Sequence, residues 1–358
     1  MEEVSGRGTV EERNGRRMTQ EGIDFVITWV DGGDKAWRKE KAKYDPAAGN
    51  DDGEERYRDW ELLKYWFRGV EKFAPWVRKI HFITWGHLPE WLDTSHPKLH
   101  IVRHEDYIPK EYLPVFNSNV LEIYMHKIKG LSEKFVYFND DFFFVKETSQ
   151  DYFFRNGRPC DMLALQPVVA NAENPVMSHL YLNNSLVLCK YFDKRENIMQ
   201  HPGNYFKLGY PPLYFCYNML ELAFPRYTGF YTVHGPSPYQ KETFEELWEK
   251  EEKLLTEMSY HRFRDKGDVT PYLFREWQKL SNQFVPKNIE KEFRYFNVGV
   301  ENSKLLQTIK KQKKKIICIN DQKIGAEFER VKQEVQEAFQ TILPEVSSFE
   351  RRTGNTTE

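Results

Sequence analysis

Strand-length apolar runs alternate with helix-spaced apolar stripes through the first part of the chain. Ile23 to Val30 reads as a first strand, and Asp31-Gly32-Gly33-Asp34 ends it in a turn. Pro46 to Glu55 is small and acidic, hence a loop. Arg58-Asp59 then opens a helix with Leu62, Leu63, Trp66 and Val70 on one stripe, and Asp59 is placed to cap it. Lys79 to Trp85 and Leu99 to Val102 read as the second and third strands. Asn117-Ser118 cap a helix carrying Val120, Leu121, Tyr124, Met125 and Ile128, with Glu122 in its first turn, where a carboxylate serves the helix dipole. The next apolar run, Phe135 to Phe144, is broken only by Asn139, Asp140 and Asp141. Strands separated by helices predict a parallel sheet with crossover helices.

The later chain changes character. Asp151 to Tyr231 is rich in Pro, Asn, Tyr and Phe, with short β-like runs at Met162–Leu165 and Leu186–Leu188. It reads as an inserted, loop-rich lobe that covers the site and holds an acceptor. Thr232 to Pro238 leaves the lobe as a strand end and turn. Helical stripes follow at Phe244–Met258 and Val269–Leu280. Ile316 to Ile319 is a last strand, and a final amphipathic helix carries Ile324, Phe328, Val331, Val335, Phe339 and Ile342. The expected organisation is a disordered tail over 1–22, one catalytic domain over 23–349 with the lobe at 151–231, and a second tail over 350–358.

Composition narrows the classes. The 358 residues carry a formal net charge of -2, so no global basic field recruits nucleic acid. The four cysteines form no CxxC pair and read as buried thiols. No run approaches the ~18 apolar residues of a membrane span, and the N-terminus lacks a hydrophobic signal core. A soluble cytoplasmic protein is expected. The basic cluster Lys310–Lys315 reads as a solvated face that can also touch anionic lipid head groups.

The chemistry concentrates where strands end. Asp140 and Asp141 fall at or just past the carboxyl end of an apolar strand, the edge where open α/β sheets bind ligands. Paired carboxylates in apolar surroundings need neutralising. A hard divalent cation shared with a diphosphate would do so; the competing reading is a plain Asn-Asp turn between hairpin strands. Asn320-Asp321 repeats the arrangement at the end of the last strand, which suggests one shared site. The glycines after the first strand either allow close approach to a nucleotide or simply form a strand-turn, and Arg58 is placed either to clamp a phosphate or to pair with a carboxylate. His234 is either a general base or a structural histidine, and His261-Arg262-Phe263-Arg264 is a basic break after a helix.

These pieces together resemble the Stealth family of capsule and exopolysaccharide sugar-phosphate transferases. That family also contains the catalytic subunit of the lysosomal-enzyme N-acetylglucosamine-1-phosphotransferase. Four blocks carry the resemblance: Ile23 to Gly32; Arg58-Asp59 through Phe73 to Ile80, Phe116-Asn117-Ser118 with Glu122, and Asn139-Asp140-Asp141; His234-Gly235-Pro236 with His261 to Arg264; and Cys318 to Asp321. The resemblance implies an α/β, Rossmann-like (GT-A-like), mostly parallel sheet with flanking helices. It implies transfer of a sugar-1-phosphate, N-acetylglucosamine-1-phosphate or another hexose-1-phosphate, from a UDP-sugar to a glycan hydroxyl with release of UMP. Asp141, His234, Arg264 and Asp321 become the catalytic candidates. Asp140, Asp141 and Asp321 become candidates for a Mg2+ or Mn2+ ion. Thr28, Trp29, Asp31, Gly32, Arg58, Asn117, Glu122, Asn139 and Asn320 become candidates for substrate contact. The competing expectations are a metal-dependent glycosyltransferase that releases UDP, and a nucleotide-sugar-binding protein without turnover.

Overall fold

The computed structural model describes residues 22–45, 58–322 and 324–351. The expected loop at Pro46–Glu55 and nearly all of both expected tails lie outside the described residues.

The architecture is α/β and Rossmann-like, a mostly parallel sheet with flanking helices, as expected. Strand β1 (Ile23–Thr28) lies at the centre of a five-stranded sheet, flanked by β2 (Ile80–Thr84) and β4 (Lys134–Phe138). β3 (Leu99–Arg103) extends it beyond β2, and these four strands run parallel. β5 (Phe142–Phe144) follows β4 after three residues and leaves the sheet. β6 (Ser237–Gln240) closes the edge beside β4, antiparallel to it. The second sheet places β8 (Ile316–Asn320) between β7 (Phe293–Asn297), parallel, and β5, antiparallel.

Both faces of the main sheet are covered, which explains why β1, β2 and β4 are buried along nearly their whole length and largely apolar, while β3 is only partly buried. Helix α1 (Lys35–Tyr44) follows β1. One face buries Phe25, Ile27, Phe82 and Phe138 against helix α2 (Leu63–Phe73). The other buries Val26, Ile83 and Phe135 against residues from the short helix α3 (Ser118–Ile123) and from helices later in the chain. α2 reaches β5 through Gly69, where an added Cβ would lie 3.1 Å from the Phe144 carbonyl oxygen. A side chain there would push the helix off the strand.

Several local expectations are corrected. Asp59 does not cap α2; it accepts from the Glu61 amide (2.6 Å), and the helix begins after Leu62 without a side-chain cap. Asn117 does cap α3, accepting from the Asn119 amide. The lobe is helical rather than loop-rich. Leu186–Leu188 belong to α4 (Pro175–Tyr191), which Asn174 caps and whose buried positions Leu180, Asn184, Val187 and Leu188 recur at helical spacing. α5 (Pro212–Glu221) is the lobe's second long helix. The stripe at Phe244–Met258 is two helices, Lys241–Lys250 and Glu252–Ser259. α6 (Tyr272–Leu280) starts only after Pro271, and α7 (Phe328–Ile342) is the amphipathic helix foreseen near the C-terminus.

Order also passes the expected boundary at 349. Arg68 on α2 donates from Nε and Nη2 to the two Glu350 oxygens, each at 2.7 Å, in a buried pair. Leu92 bridges Glu350, and the Arg351 amide donates to the Trp91 carbonyl (2.7 Å). The segment is held because it satisfies a guanidinium that α2 would otherwise bury unpaired. Burial pushes the Glu350 carboxyl up, but hydrogen bonds from Arg68 and the Ser347 amide more than offset this and hold it below its ordinary value. Glu350→Ala should therefore lower unfolding free energy by about 3 kcal/mol at neutral pH. The pair's contribution should be full above the unfolded glutamate pKa and fade as pH falls through the lower folded value. Urea denaturation of both proteins at pH 7 and pH 4 checks this, and a neutral-pH difference under about 0.5 kcal/mol would show the pair to behave like an exposed one.

Candidate active site

The carboxyl ends of β1, β4 and β8 open onto one cleft of about 540 Å³. Trp29, Asp31 and Gly32 come from the turn after β1, Asn139, Asp140 and Asp141 from the β4–β5 break, and Asn320 and Asp321 from the end of β8. Arg58 and Arg264 complete its polar wall. Two adjoining cavities share Asn139, Arg264 and Asn320 with it and add Glu122 and His234; one of them also reaches Thr28. Of the sequence-derived site residues, only Asn117 lines none of these cavities.

Asn117 is fully buried, and its amide donates to Asp268 Oδ2 (2.8 Å) and to the carbonyls of His261 and Phe263 (3.3 Å each). With its oxygen used as the α3 cap it has nothing left for a substrate. Its role is to pin the loop that carries Arg264.

The β4–β5 break holds Asp141 between two strands of the second sheet. Its carbonyl accepts from the Ile319 amide (2.9 Å), and its Oδ2 accepts from the Cys318 thiol (3.1 Å). His234 Nε2 lies 3.5 Å from the same oxygen. Asp141 Oδ1 is buried without a hydrogen-bond partner among the described residues. Asp24, a fully buried carboxylate in β1, offers the contrast: it accepts from Arg78, His81 and the Ser132 amide. Asp140 opens onto the cleft mouth but is crowded by protein on its other sides. Although its side chain is exposed to the cleft, desolvation by the protein packed around it and the neighbouring Asp141 charge push its carboxyl up. An unpartnered carboxylate oxygen beside a second, charge-repelled carboxyl fits a divalent cation. Asp141, His234 and Cys318 also form a cluster with metal-ligand spacing. Burial and Asp141 push the Cys318 thiol far up, so it stands as a hydrogen-bond donor.

Asp321 is corrected as a cation ligand. Its oxygens accept from Arg58 Nε (2.6 Å), from Arg58 Nη2 and from Trp60 Nε1 (2.9 Å). The guanidinium already neutralises it. Of the two fates foreseen for Arg58, pairing with a carboxylate is the one observed, and the group also lies over the Phe328 ring at 4.1 Å.

His234 is aimed by Tyr272, whose hydroxyl lies 2.8 Å from Nδ1. Gly235 keeps the segment close to β7; an added Cβ would meet the Phe293 ring at 2.9 Å. Below it, buried Arg275 bonds both Asp161 oxygens (2.5 and 3.0 Å), the Val233 carbonyl (2.8 Å) and Ser237 Oγ (3.3 Å). Arg264 Nη2 donates to Ser118 Oγ (2.9 Å), while its Nε is buried without a partner among the described residues. Glu122 does not serve the helix dipole. Burial pushes it up to about 8, against the pull of Arg264 and a hydrogen bond with Tyr137, whose hydroxyl is also 2.9 Å from Thr28 Oγ1. Tyr272, Arg275 and Trp60 escaped the sequence reading, which takes Cys318 only as a buried thiol and the start of a block, without a role. Only Cys318, next to Asn320-Asp321, stood where a motif pointed.

Family models for Stealth protein CR1, CR2 and CR4 (conserved regions 1, 2 and 4) match residues 21–49, 56–161 and 307–358. The His234–Arg264 stretch lies between the matched spans. The chain is similar to the capsular polysaccharide phosphotransferase WcwK of Streptococcus pneumoniae, 41% identical over 92% of this chain and 99% of that one. It is similar to the exopolysaccharide phosphotransferase cps2G of Lactiplantibacillus plantarum (36%, over 92% and 96%). It is also similar to the receptor polysaccharide phosphotransferase WefC of Streptococcus gordonii (38%, over 92% and 99%). Among solved structures, the galactosyltransferase LgtC with donor and acceptor sugar analogues overlaps at TM-score 0.37 and 9% identity, over 91% of this chain and 98% of that one.

Asp140 gives a signed pH prediction. Its folded pKa is raised, so its ionisation opposes folding progressively from pH 4 to its folded value of about 7 and fully above that. Because the side chain is exposed and screened by solvent, Asp140→Asn should raise the melting temperature only slightly at pH 8 and change it little at pH 4. Calorimetry at both pH values decides it, and an equal effect at both would show that Asp140 titrates normally.

Proposed function

The chain belongs to the Stealth family, and we propose that it transfers a sugar-1-phosphate from a UDP-sugar to a glycan hydroxyl in capsule or exopolysaccharide synthesis. A phosphodiester forms and UMP leaves. N-acetylglucosamine-1-phosphate or another hexose-1-phosphate is the group transferred. The observation that carries this reading is the unpartnered Asp141 oxygen in the cleft, with His234 and Arg264 around it. The curated relatives named above, all polysaccharide phosphotransferases by name, support the same class.

In the mechanism we propose, the acceptor oxygen attacks the phosphorus nearer the sugar, so the sugar C1–O bond survives and the anomeric configuration is kept. In the tautomer a base needs, His234 Nδ1–H donates to the Tyr272 oxygen. Nε2 then has a free lone pair on the Asp141 side and takes the acceptor proton. Asp141 supports the imidazolium that results. Arg264 holds the phosphoryl oxygens through its planar fork. The Arg58–Asp321 pair forms a fixed wall beside the nucleotide, and Trp29, Asp31 and Gly32 border it. Asp140 and Asp141 would hold a magnesium or manganese ion, which would offset charge on the phosphoryl oxygens and the leaving UMP.

The enzyme works in the cytoplasm in this reading, with peripheral contact at the inner face of the membrane. No helix among the described residues is long and apolar enough to cross a membrane.

Incubation with a panel of UDP-sugars and glycan acceptors, followed by mass analysis, should show UMP and an acceptor enlarged by a sugar phosphate. UDP and an acceptor enlarged by a sugar alone would establish the glycosyltransferase reading instead, and donor binding without product would establish a binding protein. His234→Ala should lower kcat by on the order of 10²-fold while calorimetric donor affinity stays close to wild type. If the whole effect appears as lost donor affinity, His234 is a contact residue and not the base. Asp141→Asn should abolish turnover without unfolding, and excess chelator should do the same to the wild type until magnesium or manganese is restored. Undiminished turnover in chelator removes the cation from the mechanism.

A further inference from the structure

Helix α5 is inside out. Its buried positions, Tyr214, Asn218 and Glu221, are polar or amphipathic. Asn218 bonds the Leu165 amide (2.7 Å) and the Leu163 and Tyr205 carbonyls (3.2 and 2.7 Å). Glu221 faces the Lys194 ammonium (3.3 Å) in a pair closed off from solvent. The outward positions are apolar: Leu213 is 54% exposed and Leu220 65%. The exposed apolar surface continues beyond the helix through Leu222 and Phe224, and on the preceding segment Met199 is 75% exposed and Leu208, at a loop tip, 94%. A patch of this extent is not an ordinary soluble surface.

Charge indicates what covers it. From Asn197 to Arg226 the sequence carries only Lys207, Glu221 and Arg226 as charged side chains, whereas the whole chain is 30% charged. Glu221 is buried against Lys194, so the solvent-facing charges of this stretch are both positive. The basic Lys310–Lys315 cluster stands close by. Asn288 Nδ2 donates to the Gly209 carbonyl beside Leu208 (2.8 Å), and two residues on, Lys314 Nζ donates to the Glu290 carbonyl (3.1 Å). Around Leu208 and α5 the exposed charges are Lys207 and Arg226, and the exposed carboxylates Asp193 and Glu196 stand back beside Met199; apolar side chains flanked by cations match the headgroup layer of an anionic bilayer. A two-fold contact between copies would instead bring like charges together. α4, whose first turns contribute Met177 and Tyr181 to the His234 cavity, also exposes Leu182 and Leu186 further along.

We propose that the outer face of α5 and the Leu208 loop dock the protein onto an anionic membrane surface, Leu208 and Leu220 entering the acyl boundary and Lys207 and Arg226 meeting the headgroups. This deepens the peripheral contact proposed above, and its test needs no substrate, so it stands or falls apart from the transfer reaction.

The test is flotation of the full chain with vesicles of phosphatidylcholine mixed with phosphatidylglycerol, and of phosphatidylcholine alone. Wild type should float with the mixed vesicles, weakly with the neutral ones, and lose binding as salt rises. The double variant Leu208→Ser/Leu220→Ser should reduce partitioning at least about tenfold through lost apolar contact, at an unchanged melting temperature. Should that variant misfold, Lys207→Ser/Arg226→Ser carries the electrostatic arm; it should remove the preference for anionic vesicles. Wild type that stays with the protein-only fraction beside mixed vesicles overturns the proposal. So does a dimer in sedimentation velocity that the leucine variant dissociates while vesicle binding is unchanged, since the occupant would then be a second copy.

Discussion

The break between β4 and β5 is the constraint on which the site depends. β4 is locked into the parallel sheet beside β1, yet three residues later β5 pairs with β8 in another sheet. Asn139, Asp140 and Asp141 therefore span the seam between two sheets, where neither ladder can absorb their side chains. Asp141 is fixed through its backbone by Ile319 and through one carboxylate oxygen by Cys318, which leaves the second oxygen buried and unpartnered beside the cleft. A longer turn would relax the carboxylates into solvent; a continuous strand would bury them.

The other walls are set by buried polar anchors at a distance. Arg275 ties Asp161 to Val233 and Ser237, so the strand leading into the lobe and the segment presenting His234 move as one piece. Asn117 ties α3 to the Arg264 loop, and Asp321 ties β8 to Arg58. Each of these would be a costly desolvated group alone and is stable because its partners are complete. The lobe uses the same physics in reverse: its inward helix face is held by Asn218 and the Lys194–Glu221 pair, which frees apolar side chains for the outside.

The sequence by itself determined the sheet, the strand ends that carry chemistry and the family. β1, β2 and β4 are near-continuous apolar runs because both sheet faces are covered, and that pattern is local. The turns after them are marked by Asn, Asp and Gly, also local, so Asp31, Asp140 and Asp321 could be placed at strand ends. The tertiary structure alone decided which of these groups remain free. Asp141 and Asp321 look alike in sequence, yet Asp321 meets a guanidinium 263 positions away and Asp141 keeps an unpartnered oxygen. Likewise the spacing in Leu213 to Leu220 fits a helix but not its orientation. Which face turns inward depends on partners such as Leu163, Leu165 and Tyr205, and no periodicity within a helix encodes what will pack against it.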